Sequence, residues 1–410
     1  MNFIKKHILS ILALVLLVAV LLGLSMGAYH ISIATILDNI KYAIIGNEHA
    51  DSIAYNVFWY IRMPRVLMAV LIGATLAVAG VGFQGLFRNP LADAGLIGVG
   101  SGATIMAMCA IVLGNTVLIN FQSVLGQYFL NIAAFSGALA SIFLVYRLSR
   151  SHGKTQIAIM LLAGIALNAI VGAFSGMITL AAKDEQLRTI TFWSLGSLGG
   201  STWMNVTSLL PFAAVTLILM PFFGKSLNAL SLGEQDAQSM GIPIERVKNI
   251  IMIVCAIGVG ACVAMAGMIG FIGLVIPHIF RMLLGPDHKK LIIVSSFGGA
   301  ILLVLSDLIS RTILSPVEIP IGIITSLIGG PFFMYLLLKE RYSPETGLHY
   351  YEEYERINNE EVANYLVYKY IKNLDYCIIK VGFLTNEYLE TLYQKGKIIS
   401  RKAIMYLKEY

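Results

Sequence analysis

Arg62 and Arg65 flank a Met-Pro pair at the head of one apolar run, and Asp307 and Arg311 stand four residues apart in another. Charges beside long apolar stretches are costly unless they pair or reach an aqueous edge. A spacing of four puts Asp307 and Arg311 on one helix face, where they can form an ion pair. Arg62 and Arg65 admit two readings. They anchor a helix end by snorkelling to the interface, or they offer cations to an acidic patch on an external partner. His278 follows Pro277 in GFIGLVIPHIFR, residues 270–281. An imidazole there could ligate a metal or carry a proton. No second ligand stands at metal spacing, so a structural hydrogen bond to backbone is expected. Cys109, Cys255, Cys262 and Cys377 form no CxxC pair, and the first three lie in apolar runs. They read as small apolar filler rather than disulfide or zinc chemistry. No buried nucleophile–base pair, paired-aspartate site or HExxH motif supports an intramembrane enzyme. No catalytic residue, metal or cofactor is expected.

The elements that position these residues must sit in lipid. The chain is 57% hydrophobic and only 13% charged, against about a quarter charged for soluble domains. A spanning helix needs roughly 20 mostly apolar residues. Candidate spans fall at 8–28, 64–83, 95–113, 126–147, 157–181, 203–223, 248–267, 270–284, 291–311 and 319–338. The expected fold is an all-α integral membrane protein of about ten helices. The first run follows Lys5 and Lys6 and reads as an uncleaved helix rather than a signal peptide. Residues 31–58 are mixed and read as short surface helices. The stretch 248–284 is the hardest to divide, because Gly267, Gly270 and Gly273 interrupt it.

Ten spans put both ends of the membrane region on one side. Lys and Arg number fourteen in the ends and loops of that side and six opposite, counted from Lys5 to Arg341. The positive-inside rule therefore places both ends in the cytoplasm. It also accounts for the net charge of +6 by topology, without nucleic acid. The character changes after Arg341. Residues 342–410 hold twelve tyrosines, ten acidic and nine basic residues, and no apolar run of spanning length. They read as a cytoplasmic appendage, either a small α or α/β unit or a loosely ordered tail. Helical periodicity is expected at 359–373, a strand at 377–384, and helices at 386–394 and 399–408. The domains are thus 1–341 and 342–410.

Other segments join helix breakers to apolar spans. Asn89-Pro90 should end a helix. The glycines at 95, 98, 100 and 102 lack GxGxxG spacing and no strand precedes them, so they suit close helix packing rather than phosphate. Residues 232–240 can form a short helix ended by Gly241 as a C-cap, with Pro243 beyond. Such a helix is something a soluble motor domain could grip, or else an ordinary solvated loop. Pro277 implies a kinked or short helix. Pro316 and Pro320 turn the chain back into the membrane.

RMPR (62–65), QGLFRNPLADAGLIGVGSG (84–102), LGEQDAQSMGI (232–242), GFIGLVIPHIFR (270–281) and LSDLISR with EIPIGIITSLIGGPFF (305–333) occur in this order. The ordered set resembles the FecCD family of ABC-importer permeases, which serve iron–siderophore, haem and cobalamin uptake. TFWSLGSLGG (191–200) is similar to that family's connection between its fifth and sixth spans. The resemblance covers about residues 5–341; the tail departs from it.

The resemblance implies a ten-span permease in a bacterial plasma membrane. It pairs with a second permease subunit and works with two cytoplasmic ATP-binding subunits and an extracytoplasmic binding protein. Iron–siderophore cargo is the first expectation, with haem or cobalamin as alternatives. Arg62, Arg65 and Arg311 match the positions that grip the binding protein. Asn89 and Leu91 match one side of the cytoplasmic exit, and Thr155 and Ala158 match the other less closely. Leu232, Gly233, Glu234, Ala237 and Gly241 match the ATPase-gripping helix. Pro90, Gly273, Pro277, His278, Asp307 and Pro320 match structural positions of the motifs. The chain has no GxxxxGK[ST] loop, so ATP hydrolysis is expected in a partner. The rival of another class, an ion-coupled secondary transporter or channel, usually needs ionisable residues in mid-membrane, and the spans here are nearly free of them.

Overall fold

The computed structural model describes residues 2–45, 53–114, 116–151 and 154–341. The elements expected beyond 341 lie outside the described residues. One compact unit is Met1–Phe332, and a second unit begins at Phe333.

Apolar runs fold here as helices, because a helix satisfies every backbone N–H and C=O within its own segment. Helix α1 is Asn2–Ser25 and α2 is Ile33–Ile45. A short α3, Ile53–Asn56, passes through a π-helical turn, Val57–Arg62, into α4, Met63–Phe87. The helical stretch Ile53–Phe87 thus starts well before the span expected at 64–83. Phe58 is fully buried, packs edge-on to Trp59, and Trp203 Nε1 donates to the Trp59 carbonyl at 2.8 Å. Those contacts hold as helix a segment whose mixed composition had suggested separate surface pieces.

Helices α5 (Val99–Leu113), α6 (Ile119–Leu125) and α7 (Phe129–Ser149) follow. Strands β1 (Arg150–Ser151) and β2 (Lys154–Thr155) then pair antiparallel, the one strand pairing among the described residues. Helix α8 (Ile157–Ala181) is followed by α9 (Asp184–Leu195), a helix not foreseen as a separate element. Asp184 and Glu185 occupy its first turn, where the helix dipole favours negative charge. Gln186 reaches across to the carbonyls of Ile111 and Val112 at 3.2 and 3.3 Å.

Helices α10 (Trp203–Leu219), α11 (Gly224–Leu232) and α12 (Glu234–Ser239) lead to α13 (Ile244–Ala266). Then come α14 (Ile272–Leu284), α15 (His288–Thr312) and α16 (Ile321–Arg341). Gly267 and Phe271, both at positive φ, divide the difficult stretch between α13 and α14. Among the described residues seven helical stretches are long and apolar enough to cross a membrane, and Val99–Leu113, Ile272–Leu284 and Ile321–Leu336 are apolar but shorter. Each of the ten expected spans falls on one of these.

Helix α4 is the centre of the packing: it meets α15, α13, α10 and α14 and is buried along almost its whole length. Close approach explains two glycines, Gly80 in α4 and Gly102 in α5. A Cβ built on Gly80 would lie 1.9 Å from the Gly273 carbonyl oxygen, so α4 and α14 touch backbone to backbone. Gly102 similarly faces Gly137, in keeping with packing rather than phosphate binding. Helix α8 is the opposite case, exposing Leu162, Ile165, Phe174, Met177 and Leu180.

Candidate functional site

Two polar assemblies sit at opposite ends of α4. At its N-terminal end, Arg65 Nε donates to Asp307 Oδ1 at 2.8 Å, and Arg65 Nη1 donates to Glu318 Oε1 at 2.7 Å. Arg311 Nε lies 3.4 Å from Asp307 Oδ2, the pair expected from their spacing. Arg311 also donates to the Gly23 carbonyl. Arg62 donates to the carbonyls of Leu24, Ser25 and Tyr29. The Leu24 and Ser25 carbonyls are ones that the end of α1 leaves without helical partners, so the guanidinium caps that helix, and the Tyr29 bond ties down the turn after it. All three arginines are buried, while the Glu318 side chain keeps 43% of its surface exposed. The arginines therefore neither snorkel at a free edge nor stand on the open surface. They tie α1, α4 and α15 together, and Glu318 is the member of the cluster that solvent reaches.

Glu318 lies on the connection between α15 and α16. Ser310 Oγ donates to the Ile319 carbonyl, and Ile319 N–H returns a bond to the Ser310 carbonyl at 3.0 Å. Pro320 then opens α16, whose first N–H, from Ile321, donates to the Gly196 carbonyl at 2.9 Å. That bond fixes the loop after α9. Beside this loop an open hollow of about 480 Å³ is lined by Arg188, Phe192, Trp193, Ser197 and Met265. The Arg188 guanidinium stands 5.8 Å from the centre of the Phe192 ring.

At the C-terminal end of α4 the chain leaves through a left-handed Arg88. Arg88 N–H donates to the Gly85 carbonyl and Asn89 N–H to the Gln84 carbonyl, the paired bonds of a Schellman ending. Pro90 follows, as its missing N–H requires. Asn89 Oδ1 accepts from Leu91 N–H at 2.9 Å and shapes the next turn. Thr155 on β2 is held by Glu245, whose Oε2 accepts from its N–H at 3.2 Å and its hydroxyl at 3.3 Å. Ala158, the second residue of α8, is exposed.

The short polar helix starts later than expected. Gly233, at φ +132°, interrupts the run, so Leu232 ends α11 and α12 begins at Glu234. Its other end is as expected. Gly241 takes φ +81°, Gly241 N–H donates to the Gln238 carbonyl, and Ile242 N–H donates to the Ala237 carbonyl. Ala237 is fully buried and anchors the helix. Helix α11 is joined to the start of α15: Asn228 Nδ2 donates to Asp287 Oδ1 at 2.8 Å, and Asp287 also accepts from Lys289 N–H at 3.1 Å. The Asn228 bond holds the Asp287 carboxyl below its ordinary range.

Gly273 and Pro277 lie inside α14, where Gly273 meets Gly80 and Gln84 Nε2 donates to the Gly273 carbonyl at 3.1 Å. His278 is buried on the same helix, edge-on to the Phe332 ring at 6.3 Å. Among the described residues no group of three or more His, Cys, Asp or Glu could hold a metal. Sequence reasoning missed Glu318, Glu245 and the buried Lys248, because their partners are distant in the chain or sit in what read as loop. It also left Arg188 as one more loop cation.

The FecCD transport family matches residues 15–339. The hemin transport system permease of Yersinia pestis is 40% identical over 329 residues, covering 80% of this chain and 94% of that protein. The cobalamin import system permease of Halobacterium salinarum is 39% identical over 277 residues, covering 68% and 72%. A solved metal-chelate-type ABC transporter in an inward-facing conformation superposes with TM-score 0.70 at 30% identity, covering 82% of this chain and 99% of that one.

Proposed function

The chain belongs to the FecCD transport family and is an ABC-importer permease, and from that premise we propose that it carries ferric siderophores inward across a bacterial plasma membrane. The observation that supports an iron-chelate cargo is the open hollow beside the α9 loop. Its lining joins one cation, Arg188, to the aromatic faces of Phe192 and Trp193 and the thioether of Met265. That mixture suits a bulky anionic chelate with apolar edges better than a hydrated ion. A second reading, haem, is favoured by the 40% identity to a hemin permease. Cobalamin is a third cargo of the same class, favoured by the 39% identity to a cobalamin permease.

The partners belong to the same proposal. A second permease subunit would cover the apolar row of α8 that one copy leaves exposed. Two ATP-binding subunits would grip α12 and drive the segments around Asn89, Leu91, Thr155 and Ala158 as the cytoplasmic exit. An external binding protein would bring acidic residues to Arg62, Arg65 and Arg311. Because these arginines are already bonded within the chain, such a partner must compete with internal carboxylates and carbonyls. The proposed organisation is a permease domain, 1–341, with both ends cytoplasmic, followed by an extension, 342–410.

Uptake by cells lacking the subunit, and by cells with it restored, tests the cargo. Labelled ferric siderophores, haemin and cyanocobalamin are each supplied in turn. Loss of ferric-siderophore uptake in the deletion and its return on restoration support the first reading. Loss confined to haemin or cyanocobalamin replaces it with the corresponding alternative.

A further inference from the structure

Four elements meet around one amine. Lys248, in the first turns of α13, donates from Nζ to Glu234 Oε1 at 2.7 Å and to Glu245 Oε1 at 3.4 Å. Glu234 is the first residue of α12, and its same oxygen lies 3.5 Å from Arg88 Nη2 at the end of α4. The second oxygen of Glu245 holds Thr155 on β2 by two bonds. A continuous polar path therefore runs from Arg88 through Glu234, Lys248 and Glu245 to Thr155. It touches the helix proposed to meet the motor and both segments proposed to form the exit.

The burial along this path is uneven. The Lys248 side chain keeps 3% of its surface, while Glu234 and Glu245 keep 38% and 34%. A buried ammonium parted from its carboxylates is left as an uncompensated charge, which is strongly unfavourable. Its two carboxylates are therefore constrained to move with it. The Arg88 contact is longer and exposed at both ends, so solvent screens it and it constrains little. The path is stiff at Lys248 and slack at Arg88.

We propose that Lys248 is a positioning residue that transmits displacement of α12 to the Thr155 segment, so that motor closure and exit opening occur together. This rests on the assignment of α12 as the motor contact and of Thr155 to the exit. A lysine that only stabilised the fold would change assembly without changing how much cargo moves for each ATP.

The test uses the assembled importer, with its ATP-binding subunits and binding protein, in liposomes. Cargo uptake per ATP hydrolysed is read with labelled ferric siderophore, haemin or cyanocobalamin, whichever the unmodified importer carries. Lys248→Met keeps the apolar stem and removes the charge; it is expected to lower the ratio at least tenfold. Lys248→Arg keeps the charge and is expected to restore at least half of it. A ratio for Lys248→Met within twofold of the unmodified importer overturns the proposal. If Lys248→Met fails to assemble, Glu245→Gln, which weakens the hold on Thr155 while leaving the Glu234 contact, is expected to lower the ratio at least threefold. An unchanged ratio there also overturns it. Failure of the unmodified importer to move any of the three cargoes overturns the functional assignment instead.

Discussion

Arg65 Nε lies 2.8 Å from Asp307 Oδ1, with both side chains buried, and so joins α4 to α15 by a charged bond between residues 242 positions apart. Removing Asp307 takes the carboxylate from two buried guanidinium groups, Arg65 and Arg311, and leaves Arg65 only the half-exposed Glu318, a loss of the size of a broken buried pair, about 3–5 kcal/mol. Asp307→Ala is therefore expected to destabilise the protein by that amount. Arg65→Met combined with Asp307→Leu removes this pair but leaves the buried Arg311 without its carboxylate, and should recover only part of the loss. Unfolding of the purified protein in mixed detergent micelles measures the three stabilities. An Asp307→Ala loss under about 1 kcal/mol would show that the pair contributes no more than an exposed one.

The contact of Gly80 with Gly273 predicts a steric limit. A methyl group on Gly80 would sit 1.9 Å from the Gly273 carbonyl oxygen, whereas one on Gly172 would meet nothing within 4 Å. Gly80→Ala is expected to cost about 1–3 kcal/mol, as overpacked cores do, by forcing α4 and α14 apart. Gly172→Ala should stay within about 0.5 kcal/mol of the parent, as substitutions away from packing features do. Equal effects of the two in the same unfolding assay would contradict the backbone contact.

The parts of this molecule that sequence reveals are those written in local spacing. Apolar runs of spanning length became helices, Asp307 and Arg311 paired across one turn, and Gly241 closed α12 as a left-handed C-cap. Arg62 and Arg65 looked like a helix edge because the residues before them are mixed. The burial of Phe58 and the Trp203 bond to Trp59 carry the helix back past them, and the α1 carbonyls, Asp307 and Glu318 take up both guanidinium groups. The Lys248 bonds to Glu234 and Glu245 and the Arg65 bond to Glu318 depend on how helices dock, which no local periodicity encodes. The break at Gly233 was hidden because Leu232 suits either helix equally well.

Glu318 gives the binding-protein docking proposal a measurable consequence. It already holds Arg65 Nη1 at 2.7 Å while remaining partly exposed. A partner's carboxylate arriving at Arg65 must displace it. Glu318→Gln removes the competing charge and is expected to tighten the binding protein's affinity by up to about fivefold, matching the roughly 1 kcal/mol ceiling of an exposed pair. Surface plasmon resonance on the purified permease complex reads this. Weakened binding would mean that Glu318 orients Arg65 for the partner rather than competing for it.

Asp287 carries the pH dependence that can be read outside the spans. Its carboxylate accepts from Asn228 and from Lys289 N–H at the start of α15, and the Asn228 bond holds its pKa below the ordinary value. A carboxyl whose pKa is lower folded than unfolded stabilises the folded state fully above the unfolded pKa. That contribution fades as pH falls through the folded pKa. At neutral pH Asp287→Ala is expected to cost about 1 kcal/mol, the usual size of a lost N-cap. The gap between parent and variant should narrow as pH is lowered below about 4, the reference value for an aspartate, because the parent then loses the charged form of the cap. Thermal unfolding of both proteins at pH 7 and pH 3 checks this. A gap that widens in acid would mean that the protonated carboxyl is the better partner for Asn228, opposite to the direction that these hydrogen bonds imply.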